Sequence, residues 1–151
     1  MSNEQFVYVT YIATTPEKVW KALLEGDLAR QYWGHENVSE WKPGADWKLV
    51  ADDGKRTVRA VGKVLECIPN QRYVLTWADP SDAADASKHS RLAIDIETVD
   101  NLTRVTVTQT ELTSELRKKI SNGWPRVLSS LKSFLETGQP LKVWAAPASA
   151  K

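Results

Sequence analysis

The stretch that decides the fold is "NGWPRVLSSLKSFLETG", residues 122–138. Burial of one large apolar side chain contributes about 1.5–3 kcal/mol, whereas an interior Gly costs about 1 kcal/mol and an interior Pro about 3 kcal/mol. The pattern therefore predicts a helix in spite of Gly123 and Pro125, starting after a break or kink at 122–124 and running to about Thr137. Its apolar side chains recur at helical spacing and form one stripe: Trp124, Val127, Leu128, Leu131, Phe134 and Leu135.

The N-terminal region predicts one strand and two short helices. Residues 6–13, "FVYVTYIA", are β-branched and aromatic, as is typical of a strand. Thr15 and Pro16 then form a helix start, and Gly26 is a suitable stop. A second helix is predicted from about Leu28 to Trp33.

The middle of the chain changes to a period of two, which predicts strands. Turn residues separate these strands, and the short connections favour consecutive antiparallel pairing; the tightest turn is Asp100-Asn101. The longest loop, 79–88, is acidic and rich in Ala and Ser, and we expect it to be mobile. The predicted strands are 36–41, 46–51, 56–67, 72–78, 89–99 and 102–111.

These elements predict an α+β fold with a single domain over residues 1–140. A sheet of six or seven antiparallel strands needs a cover for its apolar face, and only the final helix is long and apolar enough. We therefore expect a curved sheet wrapped around a C-terminal helix, with the two short helices after the first strand. Residues 141–151 lack periodicity and are predicted to be a flexible tail.

Composition excludes several classes of function. The formal net charge is +1, from 20 basic and 19 acidic residues, so no overall field favours nucleic acid. No apolar run approaches the length that spans a bilayer, and the N-terminus does not resemble a signal peptide. We expect a cytoplasmic protein with no membrane insertion.

The sequence predicts no metal site, no catalytic nucleophile and no cofactor. His35 and His89 are far apart and in no metal-binding motif. Cys67 is the only cysteine and is interpreted as a small buried hydrophobe. The stretch "ADDGKRT", residues 51–57, lacks the second glycine and the helix of a phosphate loop.

Three polar side chains remain candidates for a site. Gln109 shares a strand face with two valines, so it should point inward and either contact a ligand or make a structural hydrogen bond. Glu66 faces inward by simple alternation, and a β-bulge would reverse this. Asp95 lies on the charged face of its strand, which favours solvent exposure.

Seven tryptophans give more rigid apolar surface than a domain of this size needs for packing alone. Tyr73 and Trp77 alternate onto one strand face and should reach the core or a cavity. Trp41 lies beside the Pro43-Gly44 turn, and Trp124 opens the last helix.

Five pieces in order resemble one family, named for the C-terminal domain of the heat shock protein 90 ATPase activator. They are "IATTPEKVWKALLEGDLARQYW" (12–33), "WKPGADWKL" (41–49), "GKVLECIPNQRYVLTW" (62–77), "RVTVTQTEL" (104–112) and "GWPRVLSSLKSFLETG" (123–138). The family belongs to the START-like, or SRPBCC, superfamily. The resemblance implies the helix-grip fold, a cavity between helix and sheet, and a small apolar or amphipathic ligand. It also places Trp33 near the cavity mouth.

The leading hypothesis is binding of a small apolar or aromatic molecule without chemistry. A cyclase-like or hydrolase-like enzyme using Glu66, Asp95 or Gln109 in the same cavity is the second, and a co-chaperone that regulates the heat shock protein 90 ATPase is the third. The predicted ligand-binding residues are Trp33, Trp41, Glu66, Tyr73, Trp77, Gln109, Trp124, Leu128 and Leu131.

Overall fold

A computed structural model describes residues 5–142 of the chain. Each predicted strand is present, with ends shifted by at most two residues. In the described range no helix is both long and apolar enough to cross a membrane. In chain order the elements are β1 Gln5–Ile12, α1 Pro16–Leu24, α2 Gly26–Trp33, β2 His35–Ser39, β3 Asp46–Ala51, β4 Val58–Ile68, β5 Arg72–Trp77, β6 Ser90–Val99, β7 Leu102–Thr110 and α3 Ser114–Thr137.

The seven strands form one curved antiparallel sheet in the order β1-β7-β6-β5-β4-β3-β2, and α3 packs in its concave side. From β2 to β7 each strand pairs with the next, as the short turns predicted. Only β1 joins out of sequence, pairing with β7. The predicted α+β helix-grip fold is confirmed.

Local signals explain the two short helices. The Thr15 hydroxyl accepts a hydrogen bond from the Lys18 amide over 3.3 Å, and Pro16 occupies the first turn. Helix α1 ends at Leu24, before the predicted stop at Gly26, which instead starts α2. Gly34 ends α2 in a left-handed conformation, with φ of 74°, that glycine adopts without strain.

We predicted a break or kink at 122–124, and the break is wrong, because α3 continues for 24 residues with Pro125 inside it. The apolar stripe starts earlier than predicted: Leu116 and Ile120 are buried on the same face as Trp124. The added burial outweighs the cost of about 3 kcal/mol for an interior proline. Thr113 caps the start, accepting a hydrogen bond from the Leu116 amide over 3.1 Å.

Two β-bulges in β4 change the direction in which some of its side chains point. The register with β3 shifts so that Leu49 pairs with Ala60 and Val50 pairs with Val58, which leaves Arg59 as an extra residue. A second shift against β5 lies between Val64 and Glu66. Such bulges re-aim side chains and increase the local twist of a sheet.

The loop at 79–88 contains two short 3₁₀ turns, Pro80–Asp82 and Ala86–Lys88. The carboxylates of Asp79 and Asp85 accept hydrogen bonds from the backbone amides of Ser81 and Ser87. This part of the chain is therefore shaped by local hydrogen bonds.

The chain after α3 passes back along that helix. The Ser130 hydroxyl donates a hydrogen bond to the Tyr32 carbonyl over 2.7 Å and accepts one from the Leu141 amide over 3.1 Å. Of the predicted tail, residues 143–151 lie outside the described residues.

Candidate functional site

A cavity of about 330 Å³ lies between α3, the end of α2 and strands β2 to β5. This volume is at the lower end of the range for small-molecule sites. Four of the side chains that line the cavity are polar or charged: His35, Arg59, Asp79 and Lys119. The rest of the lining is mostly apolar and comprises Trp33, Leu49, Trp77, Leu116, Ile120, Gly123, Trp124 and Val127.

Three indole rings form one wall of this cavity. The Trp124 ring lies 5.7 Å from that of Trp33 and 5.8 Å from that of Trp77, centroid to centroid, at tilted angles. Trp47 extends the cluster behind Trp77, at 4.8 Å. Tilted ring pairs at these separations attract each other beyond their burial. The wall is therefore rigid and apolar.

A buried chain of hydrogen bonds holds the indole of Trp124. Its Nε1 donates to Gln109 Oε1 over 2.9 Å, and Gln109 Nε2 donates to Ser90 Oγ over 2.9 Å. Ser90 Oγ in turn donates to the Trp77 carbonyl over 2.8 Å. Gln109 is fully buried and points inward, as predicted, and its amide makes a structural hydrogen bond on each side.

A second buried chain supports Trp47. Its Nε1 donates to Asn37 Oδ1 over 2.9 Å, and Asn37 Nδ2 donates to the Leu23 carbonyl over 2.9 Å. This chain ties β2 and β3 to the end of α1. Leaving a buried polar group without a hydrogen-bond partner costs free energy. Both chains of hydrogen bonds therefore restrict how the indoles of Trp124 and Trp47 can move.

His35 is a neutral polar group in the cavity wall. Its Nδ1 donates to the Trp33 carbonyl over 3.2 Å, so Nε2 carries the lone pair. Burial lowers the pKa of His35, and the nearby Arg59 guanidinium lowers it further; the Trp33 carbonyl, Asp53 and Asp52 act in the opposite direction. The imidazole is thus uncharged at neutral pH and can accept a hydrogen bond.

The remaining polar lining consists of an ion pair and one arginine. Lys119 Nζ lies 3.3 Å from Asp79 Oδ2. Hydrogen bonds from the Ser81 backbone and hydroxyl, together with Lys119, lower the pKa of Asp79. Arg59 is exposed, and within residues 5–142 no carboxylate pairs with it. Its chemistry is that of a hydrogen-bond donor with a fixed positive charge.

Trp33, Trp77 and Trp124, of the predicted ligand-binding residues, line this cavity together. Leu128 and Leu131 are fully buried in the core next to it. Gln109 supports the wall from behind through Trp124.

Trp41 and Tyr73 belong to a different aromatic group. Their rings lie 4.9 Å apart, and Trp20 packs edge-on against Tyr73 at 6.0 Å. Tyr73 precedes Trp77 by four residues on β5, which is about 13 Å along a strand. Burial raises the pKa of the Tyr73 hydroxyl well above its usual range, so this ring stays neutral.

Glu66 lies at the second bulge of β4, and its side chain is 44% exposed. Its Oε1 accepts a hydrogen bond from Arg72 Nε over 3.2 Å, and Asp95 accepts one from Arg72 Nη1 over 2.7 Å. Both carboxylates are therefore held by the same guanidinium, away from the cavity lining.

Sequence reasoning did not identify several lining residues. Leu116 and Ile120 were missed because the helix was expected to start after them. Arg59 was missed because a bulge, rather than alternation, decides its direction. His35 was considered only as a metal ligand.

The described residues hold no group of three or more His, Cys, Asp or Glu side chains placed to bind a metal ion. Cys67 is half-buried, and burial raises the pKa of its thiol. A protonated thiol is a poor nucleophile.

Comparison with known proteins identifies the family of the chain. A sequence profile of the family "Activator of Hsp90 ATPase homolog 1-like protein" matches residues 13–136. The chain belongs to this family. No curated protein matches the chain.

Several solved structures share the fold of this member of the Hsp90 ATPase activator homologue family. The Aha1 dimer from Colwellia psychrerythraea has a TM-score of 0.72 at 24% identity, covering 89% of this chain and 98% of that one. An HSP90 activator from Plasmodium falciparum has a TM-score of 0.71 at 17% identity, with coverages of 87% and 95%. CalU16 from Micromonospora echinospora has a TM-score of 0.70 at 16% identity, with coverages of 89% and 77%. At these identities the similarity establishes the fold alone.

Proposed function

We propose that the protein binds a small apolar or aromatic molecule in the cavity between α3 and the sheet. The observation that carries this proposal is the wall formed by Trp33, Trp77 and Trp124 around a space of about 330 Å³. Largely apolar cavities with a few fixed polar groups are the usual form of small-molecule sites.

The support behind the indoles strengthens the proposal. Trp124 is held by Gln109, and Trp47, which packs on Trp77, is held by Asn37. A wall that is already fixed loses little side-chain entropy when a ligand arrives, and such preorganisation increases affinity. Each indole also offers an apolar face on which an aromatic ring can pack.

A ligand screen tests the proposal directly. Medium-chain fatty acids, naphthoic and indole carboxylic acids, and polycyclic phenols are added to the purified protein, and thermal unfolding is followed. A ligand at 100 times its Kd stabilises the folded state by about 2.7 kcal/mol, which raises the unfolding temperature clearly. Tryptophan fluorescence is the second readout, since three indoles face the cavity.

Two matched substitutions locate the binding. Val127→Phe adds a ring to the cavity wall, whereas Val9→Phe adds the same ring to an exposed position on β1. We expect Val127→Phe to abolish the ligand-induced shift and Val9→Phe to retain it, with the unfolding temperature of each free variant confirming that it folds. Equal binding by both variants would contradict the assignment to this cavity.

The enzyme hypothesis has weaker support. Two of its candidate carboxylates, Glu66 and Asp95, are hydrogen-bonded to Arg72 outside the cavity lining. Asp79 lines the cavity, but its pKa is lowered by Ser81 and Lys119, whereas a general acid needs a raised one. Binding without chemistry is therefore preferred.

A co-chaperone role is the second candidate, because the family is named after an activator of the Hsp90 ATPase. Adding the purified protein to the Hsp90 of the same host and measuring ATP hydrolysis tests it. Stimulation that persists in Val127→Phe would assign this role to a surface other than the cavity. An unchanged rate of hydrolysis would remove it.

A further inference from the structure

We propose that the ligand is an anion, most simply an aromatic or aliphatic carboxylic acid. Its acid group pairs with Arg59 while its apolar body lies against the indoles. The inference depends on the proposed function and adds the chemical class of the ligand to it.

The position of Arg59 results from a β-bulge. Leu49 pairs with Ala60 and Val50 with Val58, so Arg59 has no partner in the register between β3 and β4. The neighbouring Ala60 is buried, and Arg59 nevertheless lines the cavity together with Leu49. Bulges occur preferentially beside functional sites, where they redirect a single side chain.

The guanidinium of Arg59 is available to a ligand. Arg30 and Arg56 pair with Glu36, and Arg72 pairs with Asp95. Across residues 5–142, by contrast, no carboxylate lies within ion-pair distance of Arg59. An arginine presents a planar set of donors that matches both oxygens of a carboxylate.

The other charged groups around the cavity do not neutralise the positive charge of Arg59. Lys119 is neutralised by Asp79 at 3.3 Å, and His35 is uncharged. Asp53 uses its carboxylate in the β3–β4 turn, accepting hydrogen bonds from the Lys55 and Thr57 amides. Asp52 acts on His35 electrostatically but does not line the cavity. The lining therefore carries one uncompensated positive charge beside an apolar wall.

Matched probes of one shape test the inference: 2-naphthoic acid, 2-naphthamide and 2-naphthylmethylamine, which are an anion, a neutral molecule and a cation at pH 7.5. Their Kd values are measured by tryptophan fluorescence for the wild-type protein, for Arg59→Gln and for Arg91→Gln. Arg91 is the matched control, because it is also exposed and unpaired among the described residues but lies on β6 outside the cavity lining.

We expect the wild type to bind the acid about tenfold more tightly than the amide, and the amine least. Arg59→Gln should remove the preference for the acid without weakening the amide, and Arg91→Gln should change neither. The preference should also shrink as NaCl is raised from 50 to 500 mM, because salt screens an exposed charge pair.

The outcomes separate the two proposals. If acid and amide bind equally to the wild type, or if Arg59→Gln retains the preference, the anion inference is wrong and the cavity proposal stands. If no probe binds, and the ligand screen gives no shift either, both are wrong.

Discussion

The indole of Trp124 donates a 2.9 Å hydrogen bond to the side-chain oxygen of Gln109, and both residues are buried. One of them is on α3 and the other on β7, so this bond fixes the helix against the sheet next to the cavity. Ser90 completes the chain by accepting from Gln109 and donating to the Trp77 carbonyl. Gln109 and Ser90 thus hold Trp124 and the backbone of Trp77, whose rings belong to the apolar wall of the cavity.

Replacing Gln109 by Leu should destabilise the protein by about 2–4 kcal/mol. The substitution leaves Trp124 Nε1 and Ser90 Oγ buried with one partner fewer each, and an unmet buried group costs about 1–3 kcal/mol. Urea unfolding followed by circular dichroism measures the change.

A double-mutant cycle with Trp124→Phe isolates the bond itself. Trp124→Phe removes the donor but leaves an aromatic ring in place, so the double variant should lose less stability than the sum of the single losses. Strict additivity would show that the two side chains are not coupled.

Gly62→Ala should be one of the most damaging single substitutions in the sheet. A Cβ at Gly62 would lie 1.7 Å from the Thr76 carbonyl oxygen, and backbone atoms cannot yield as a flexible side chain can. We expect a loss of at least about 3 kcal/mol, or no folded protein. Lys63→Ala, at the exposed neighbouring position, should cost less than about 1 kcal/mol. Similar unfolding midpoints for the two variants would refute the predicted clash.

Acidification from pH 7 to pH 5 should weaken the fold through His35. Its pKa in the folded state is lowered, mainly by burial, so between the unfolded value of about 6.5 and the folded value the unfolded chain binds more protons. The free energy of unfolding that depends on neutral His35 is therefore at its full value above about pH 6.5, and it decreases as the pH falls toward the folded-state pKa. Asp52 and Asp53, which raise this pKa, reduce the effect without reversing its sign.

The variant His35→Gln, which cannot titrate, checks this assignment. Its stability should change less than that of the wild type between pH 7 and pH 5, when both are measured by urea unfolding at constant ionic strength. Parallel pH curves for the two proteins would show that His35 is not responsible.

Leu131→Ala should cost about 2–5 kcal/mol, as truncation of fully buried leucines does. Since Leu131 belongs to the core rather than to the cavity lining, its loss should leave the Kd for a bound probe nearly unchanged under conditions where the variant is folded. A large change in Kd would instead place the ligand deeper, in the core beside Leu131.

Features set by local sequence were predicted well. Thr15 and Pro16 start α1 as expected, and the Asp100-Asn101 turn joins β6 to β7. Inward alternation also placed Gln109 correctly. Each of these depends on a few neighbouring residues, and tertiary packing does not overrule them.

Features set by tertiary context were not predicted. Pro125 lies inside α3 because Leu116 and Ile120 of the same helix are buried in the core, and this burial offsets the cost of the proline. The core residues around them are distant in sequence, so a local pattern does not reveal the burial. Arg59 and Glu66 depend on where two bulges fall, and a shift of one residue reverses a side chain. The candidate site therefore differs from its sequence prediction at its charged lining and at Leu116 and Ile120, and Trp41 and Tyr73 lie outside it.

The proline within α3 has a dynamic consequence. Residue 125 has no amide proton to return to the carbonyl of Ser121, so one rung of the helical ladder is missing beside Gly123 and Trp124, which line the cavity. Local opening starts where backbone bonds are fewest, so amides near this turn should exchange with deuterium faster than those around Leu131. Transient loosening of this turn would move Gly123 and Trp124 and so widen the cavity for molecules that enter and leave.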